Sequence, residues 1–263
     1  MKILAIIGTP TRDAGYTVRT VRAIEESLAP VDDMQMEYLY LEDLNLQRCQ
    51  GYLTCIKQGE QHCPFSSDVA ELTGKMAAAD AVIFASPVHC FNVSTLMKNM
   101  IDLLVYQMHR PAFFGKQAVI VTTAAGAGQK GVLNYLEKTV SNWGFDVISR
   151  LGTHAGLFAE PAYQSKLRRA ADRLAVKLIR AVEAKKIPAP GIAELINFRV
   201  WRSVIKRSRE ASPYDWQHWQ NSGWLDQPYY FATRVNPVAN VLAACVEKLI
   251  ERAIQKVSVN PAT

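Results

Sequence analysis

Three stretches of this sequence gather the residue types that ligand chemistry needs. The first, Gly8-Thr9-Pro10-Thr11-Arg12-Asp13-Ala14-Gly15-Tyr16-Thr17, combines hydroxyls, glycines and one guanidinium. At the start of a helix such a loop offers backbone N–H groups, hydroxyl donors and a positive charge to an anion such as a phosphate. The same threonines could equally serve as helix caps. The loop matches neither G-x-x-x-x-G-K-[ST] nor G-x-G-x-x-G, so it carries no dinucleotide fingerprint. The second stretch, Ser86-Pro87-Val88-His89-Cys90-Phe91-Asn92, sets a hydroxyl, an imidazole, an aromatic face and an amide side by side. The third, Thr122-Thr123-Ala124-Ala125-Gly126-Ala127-Gly128, is small and flexible enough for close backbone approach. Elsewhere, His109 with Arg110 and His154 are isolated polar groups, read as a helix-end charge and a loop residue. No Ser/His/Asp arrangement is spaced for nucleophilic catalysis, and no H-E-x-x-H occurs.

Each stretch needs an element that ends where it begins. Lys2 to Ile7, Ala81 to Ala85 and Gln117 to Thr123 are compact apolar runs without alternation, the pattern of strands buried on both faces. Asp32 to Tyr40 alternates Met34, Met36, Tyr38 and Tyr40 as a strand, and Phe145 to Leu151 is a fifth. Between them lie helical stripes: Val18, Val21, Ile24 and Leu28; Asp68 to Ala79; Val93, Leu96, Met97, Met100, Ile101 and Leu104; Gln129 to Trp143; and Gln164 to Ala184 with Leu167, Leu174, Leu178 and Val182 inward. This alternation predicts an α/β fold, a doubly wound five-stranded parallel sheet in the flavodoxin-like order 2-1-3-4-5. In that order the first and third strands lie together at the switch point, and all three stretches share one edge of the sheet, where ligands bind.

The composition changes at Lys185-Lys186-Ile187-Pro188-Ala189-Pro190-Gly191, giving a domain over residues 1–187 and an extension over 188–263. The extension holds four of the five tryptophans, Trp201, Trp216, Trp219 and Trp224. A last helix runs from about Val238 to Val257, with Val238, Leu242, Cys245, Leu249, Ile250 and Ile254 as its apolar stripe and Cys245 as core. The mostly helical, aromatic-rich extension is expected to act as a lid, a dimer arm or a partner contact, with a membrane-surface role as the lesser alternative. A formal net charge of +6, without a basic run or recognition motif, attracts small anions and does not indicate nucleic acid. The N-terminal apolar run is too short for a signal core and no stretch is long enough to span a membrane. With five cysteines, an odd number, the expectation is a reduced cytoplasm.

Gly8-Thr9-Pro10-Thr11-Arg12-x-x-Gly15-x-Thr17 resembles the G-S-P-R-x-x-G-N-T loop of the NADPH-dependent FMN reductase family. Ala81 to Ser94 resembles that family's A-D-A-I-I-F-G-S-P-V-Y-x-x-N-V-S signature, and Arg48-Cys49-Gln50-Gly51-Tyr52-Leu53-Thr54-Cys55 followed by Cys63 resembles the cysteine segment of its iron–sulfur flavoprotein branch. The resemblance implies noncovalent FMN and NAD(P)H as electron donor. It implies phosphate contacts from Thr9, Thr11, Arg12, Tyr16 and Thr17. Ser86, Pro87, Val88, His89, Phe91 and Asn92 are implied along the flavin ring and ribityl chain, and Thr122, Thr123, Ala124 and Gly126 at the ring's other edge. His89 stands where the family often has tyrosine, so it either modulates the flavin or merely fills that place; Thr9 replaces the common serine. Cys90 is read as packing.

A [4Fe–4S] cluster is normally held by four thiolates. Here the compact C-x2-C-x2-C spacing of the cluster-bearing branch is broken, because Tyr52 takes the second position between Cys49 and Cys55. Cys49, Cys55 and Cys63 could hold a three-iron cluster, recruit His62 as a foreign ligand, or form a Cys3His zinc site. The reading adopted is a degenerate loop that packs structurally, with no metal. The lack of an acid–base constellation suits a flavoenzyme, since the cofactor does the hydride chemistry. The expected function is an FMN-dependent NAD(P)H oxidoreductase acting on an electrophilic small molecule (a quinone, nitro or azo aromatic, enone or flavin), as a homodimer or higher homo-oligomer. The alternative is a flavin-containing electron carrier serving a protein partner.

Overall fold

The structure is a computed structural model that describes residues 1–259, with side chains as far as Arg252. The chain divides into two compact units, Met1–Gly51 with Pro64–Ile187, and Tyr52–Cys63 with the chain from Pro188 onward. Its elements run β1 (Lys2–Ile7), α1 (Tyr16–Leu28), β2 (Gln35–Tyr40), α2 (Thr54–Lys57), α3 (Ser66–Ala78), β3 (Ala81–Pro87), α4 (Thr95–Leu103), β4 (Gln117–Ala124), α5 (Gln129–Asn142), β5 (Asp146–His154), α6 (Pro161–Ala184), α7 (Ile192–Arg207), α8 (Pro213–Asn221) and α9 (Pro237–Val259).

In the first unit the described strands form one five-stranded sheet, ordered β2-β1-β3-β4-β5, with every neighbouring pair parallel. The central strands explain their own sequences. Ile3 to Ile7, Ala81 to Ala85 and Ala118 to Val121 are buried throughout, so no position can alternate with polar residues. Odd and even positions serve different layers. Ile3, Ala5 and Ile7 join one cluster with Val18, Val21, Ile24 and Leu28 of α1 and with Ala171, Leu174 and Leu178 of α6. On the other face, Phe84 meets Trp143 after α5 with ring centroids 6.1 Å apart and Phe145 at 5.5 Å. Each fully buried aliphatic of this kind contributes about 1.5–3 kcal/mol relative to exposure.

Some boundaries shift from the sequence expectation. β2 starts at Gln35, and Met34 precedes it. β5 continues through Gly152 and Thr153 to His154, because its last residues pair with Thr122 to Ala124 of β4. His154 therefore ends a strand instead of sitting in a loop.

The second unit has its own core of Leu195, Phe198, Ile205, Trp219, Trp224, Tyr229 and Ala243. Phe198 stacks on Trp219 at 5.6 Å and 17°, and Trp224 Nε1–H donates to Tyr230 O at 2.9 Å. The aromatic residues Trp219, Trp224 and Tyr229 are thus consumed inside this unit. α2, from the cysteine segment, packs against α8. α9 corrects the expected apolar stripe. Val238, Leu242, Cys245 and Leu249 are exposed, and Ile254 lies outside the described side chains. The buried face carries Ala243 and Glu247, because Glu247 must reach the guanidiniums of α7. Arg202 gives its carboxylate two hydrogen bonds, 2.8 and 2.7 Å, and Arg199 a third at 2.9 Å. Among the described residues no helix is long and apolar enough to cross a membrane.

Burial raises the Glu247 pKa, but hydrogen bonds and charge from Arg202 and then Arg199 outweigh it and leave the group below its usual range. A depressed carboxylate stabilises fully above the ordinary glutamate pKa of about 4.3, and its contribution fades as pH falls through the lower folded-state value. We expect Glu247→Gln to destabilise the protein by about 3 kcal/mol at neutral pH, since two guanidiniums lose their carboxylate. Urea unfolding followed by tryptophan fluorescence measures it. The difference from wild type should shrink in acid below that range.

Candidate functional site

The sheet order places the ends of β1, β3 and β4 next to one another, with the switch point between β1 and β3. Hydrogen bonds tie the three loops together. Gly8 N–H donates to Ala85 O at 2.8 Å, and Val88 N–H donates to Thr123 O at 2.8 Å. Ser94, which caps α4 by accepting Met97 N–H at 3.2 Å, also donates to Gly8 O at 2.5 Å. Its own N–H goes to Ser86 Oγ at 3.0 Å. Thr122 Oγ1 donates to Ser86 O at 2.8 Å. Ser94 thus joins the ends of β1 and β3. Its signal was present, as a serine directly before an apolar helical stripe.

The first loop folds back on the start of α1. Gly15 N–H donates to Arg12 O at 2.8 Å, and a Cβ on Gly15 would lie 2.9 Å from both Thr11 Cβ and Thr11 O. Only glycine fits this cradle. Gly15 gives α1 no side-chain cap and the first turn carries no acid, so its opening amides face no built-in negative charge. Thr9 is buried, 2.6 Å from the Thr11 hydroxyl, and accepts Thr11 N–H at 3.3 Å; Thr17 is buried as well. Arg12 points elsewhere. It pairs with Asp43 and lies 4.1 Å over the Tyr40 ring, and the Asp43 hydrogen bond raises its pKa. Tyr16 packs on Phe158 with centroids 5.0 Å apart.

The second loop is a two-residue turn. His89 and Asn92 exchange hydrogen bonds of 2.8 and 2.9 Å, which leaves Cys90 at φ 47° and Phe91 at φ 62°. His89, Cys90, Phe91 and Asn92 are all exposed, so Cys90 does not pack as expected: a turn tip offers no interior to fill. Asn92 Oδ1 accepts Val93 N–H at 2.8 Å, and Ser86 is fully buried below.

In the third loop Ala124 is buried and Gly126 is open, with nothing within 4 Å of an added Cβ. The hydroxyls of Thr122 and Thr123 both point inward. Thr123 lies 2.8 Å from the Thr153 hydroxyl, which lies 3.1 Å from Thr20 Oγ1. Gly128 adopts φ +104°, and a Cβ there would come within 2.8 Å of Val88 Cγ1. His154 has Gln129 Nε2 at 3.0 Å from its Nε2, and burial, with Arg110 adding to it, lowers the His109 pKa to about 4, so that imidazole is neutral near pH 7.

The cysteines are divided between the two units. Cys49 belongs to the sheet unit, where its N–H donates to Asn99 Oδ1 at 3.0 Å, whereas Cys55, His62 and Cys63 belong to the second unit. Among the described residues no group of three or more His, Cys, Asp or Glu side chains is arranged to hold a metal ion. Tyr52, at the broken position, is largely exposed. For the loop ties, we expect Ser94→Ala to cost about 1–2 kcal/mol, since one hydroxyl both caps α4 and satisfies Gly8 O. Denaturant unfolding checks the loss.

The sequence pattern of the NADPH-dependent FMN reductase family matches residues 1–156. An iron-sulfur flavoprotein of Archaeoglobus fulgidus is 27% identical over 228 residues, covering 86% of this chain and 100% of that protein. Among solved structures, an NADH:FMN oxidoreductase in its apo form superposes with a TM-score of 0.50 at 20% identity, covering 66% of this chain and 88% of that one. RosB with bound 8-demethyl-8-formylriboflavin-5'-phosphate gives 0.52 at 12% identity over 90% and 92% of the two chains. At such identities the structures speak for the fold, and the match over residues 1–156 settles the rest: the chain belongs to the NADPH-dependent FMN reductase family.

Proposed function

We propose that this FMN-dependent NAD(P)H oxidoreductase holds its cofactor on the three tied loops and reduces an electrophilic conjugated small molecule. Quinones, nitro or azo aromatics, enones and free flavin form that class. The observation that carries the reading is the Gly15 cradle, where a loop with buried and exposed hydroxyls wraps an acid-free helix start. That donor set suits a phosphate dianion. FMN held on these loops would supply the chemistry for hydride transfer between NAD(P)H and the acceptor.

The chain's residues bind and orient. Thr9, Thr11 and Thr17 hydroxyls, with the opening amides of α1, hold the phosphate. Arg12 braces the loop against Asp43 and adds a positive field at longer range. Tyr16, tilted against Phe158, walls the phosphate end. Pro87, Val88, Phe91 and Asn92 lie along the ring, and the backbone at Ala124 and Gly126 meets its other edge. Ser86, Thr122 and Thr123 act from behind, because their hydroxyls are committed to the protein. The exposed His89 imidazole, like the Asn92 amide, is able to hydrogen-bond the ring or its reaction partner.

A second reading, an electron carrier with an iron–sulfur centre, draws on the name of the Archaeoglobus relative.

The purified protein should be yellow, or become so with FMN, and anaerobic NAD(P)H should bleach it within a turnover. Thr17→Val should weaken FMN about tenfold or more, the effect of one charge-assisted hydrogen bond. A protein that remains colourless after FMN loading sinks the proposal, and stoichiometric iron with sulfide would favour the carrier.

A further inference from the structure

We propose a second ligand site, a groove between α1 and α6 that takes a small organic anion. The carboxylate or phosphate head sits on Arg19, and an apolar body lies beside Ala23 and Leu167. None of the residues that line the groove belongs to the three tied loops, so the proposal stands apart from the flavin reading.

Three observations carry it. First, there is room. The groove encloses about 570 Å³, with Arg19, Ala23 and Glu26 on the α1 side and Gln164, Leu167 and Arg168 on the α6 side. That volume lies within the range of small-molecule clefts, roughly 300–1,000 Å³. Residues 19, 23 and 26 share one helical face, and the small Ala23 keeps the walls apart. The two helices are stitched at the Glu26 end, where Arg168 Nη1 donates to Glu26 Oε2 at 2.8 Å and Ser27 Oγ to Asp172 Oδ1 at 2.8 Å. Second, the charge of Arg19 is unspent. The arginines around it have carboxylates: Arg12 has Asp43, Arg22 has Asp13 and Glu25, and Arg168 has Glu26 and Asp172. Among the described residues, the Arg19 guanidinium contacts aromatic rings and gives no hydrogen bond to a carboxylate or carbonyl. With Glu26 neutralised by Arg168, Arg19 leaves the groove positive. Third, that cation is already held. Its Cζ lies 5.1 Å from the Phe158 ring centroid and 5.4 Å from that of Tyr16. Phe158 is itself fixed: it is buried, tilted against Tyr16 and Tyr163 at 5.0 and 5.8 Å, and its carbonyl accepts Gln164 Nε2–H at 2.8 Å. Cation–π contact holds the guanidinium without giving its N–H donors a lone-pair acceptor. A planar fork placed in advance suits bidentate recognition of a carboxylate or phosphate, and little entropy is lost when the anion arrives.

Benzoate and phenyl phosphate are the probes, titrated calorimetrically into the full-length protein in the presence of excess FMN. The tighter probe identifies the head group that the groove prefers. Arg19→Met should weaken that probe about tenfold or more, the effect of losing a charge-assisted bidentate contact. Arg19→Lys keeps the charge and loses the fork, so its affinity should fall between the two. Ala23→Leu, which fills the groove and leaves Arg19 in place, should abolish binding. Thr17→Val alters the phosphate cradle instead, and probe affinity there should equal that of wild type. Thermal midpoints show which variants are folded, and the Arg19 pair on the protein surface decides the matter if Ala23→Leu is not. No binding of either probe at millimolar concentration overturns the proposal. So does an affinity unchanged in Arg19→Met or in folded Ala23→Leu, or one lost in Thr17→Val. Each of these failures leaves the function proposed above untouched.

Discussion

One buried hydroxyl, Ser94 Oγ, holds the ligand edge of the sheet together. It donates to the carbonyl of Gly8 at the end of β1 and accepts the amide of Met97 in the first turn of α4. The Ser94 amide reaches Ser86 at the end of β3. With Thr122 bonded to Ser86 O, the ends of β1, β3 and β4 form one polar unit sealed beneath the loops. Buried polar groups that lack partners are expensive, so each member fixes the next. The exposed parts above, the Gly15 cradle and the His89–Asn92 turn, inherit their positions from this layer. A phosphate and an extended ring can therefore be held by loops that carry few charged side chains of their own.

Much of this was legible because burial acts on strands and helices through simple periods. The continuous apolar runs at Ile3, Val82 and Val119 are possible only for strands covered on both faces, and the Val18, Val21, Ile24, Leu28 stripe only for a helix covered on one. The parallel order then followed from handedness. Side-chain direction in loops obeys no such period. Thr122 and Thr123 looked like donors to a ligand, yet both turn inward, since adjacent residues at a strand end alternate and both faces there are covered. Arg12 was assigned to a phosphate, but its pairing with Asp43 depends on a contact 31 residues away.

α9 shows how an ion pair can override hydrophobic patterning. Its aliphatic stripe reads as the buried face, but a carboxylate that meets two guanidiniums must be enclosed with them, and Glu247 lies on the side opposite Leu242 and Leu249. A helix has only one face to dock, so the aliphatics are left outside. The short α2 segment carries a similar lesson. It is far in sequence from the rest of the second unit but packs with α8, and no local pattern marks that pairing.

The threonine chain beneath the third loop has a sense of direction. Thr20 Oγ1 donates to Tyr16 O at 2.9 Å, a carbonyl that can only accept. Thr20 can then accept from Thr153, whose hydroxyl also has Thr122 O within 3.4 Å, and Thr153 can accept from Thr123. In that arrangement the three hydroxyl dipoles point the same way, from β4 through β5 to the first turn of α1, and reinforce one another. So oriented, the line is a polarised wire, and turning the Thr153 hydroxyl to Thr122 O breaks it. Its negative end rests at Thr123, behind the third loop, and its positive end abuts the carbonyl of Tyr16 in the turn that opens α1.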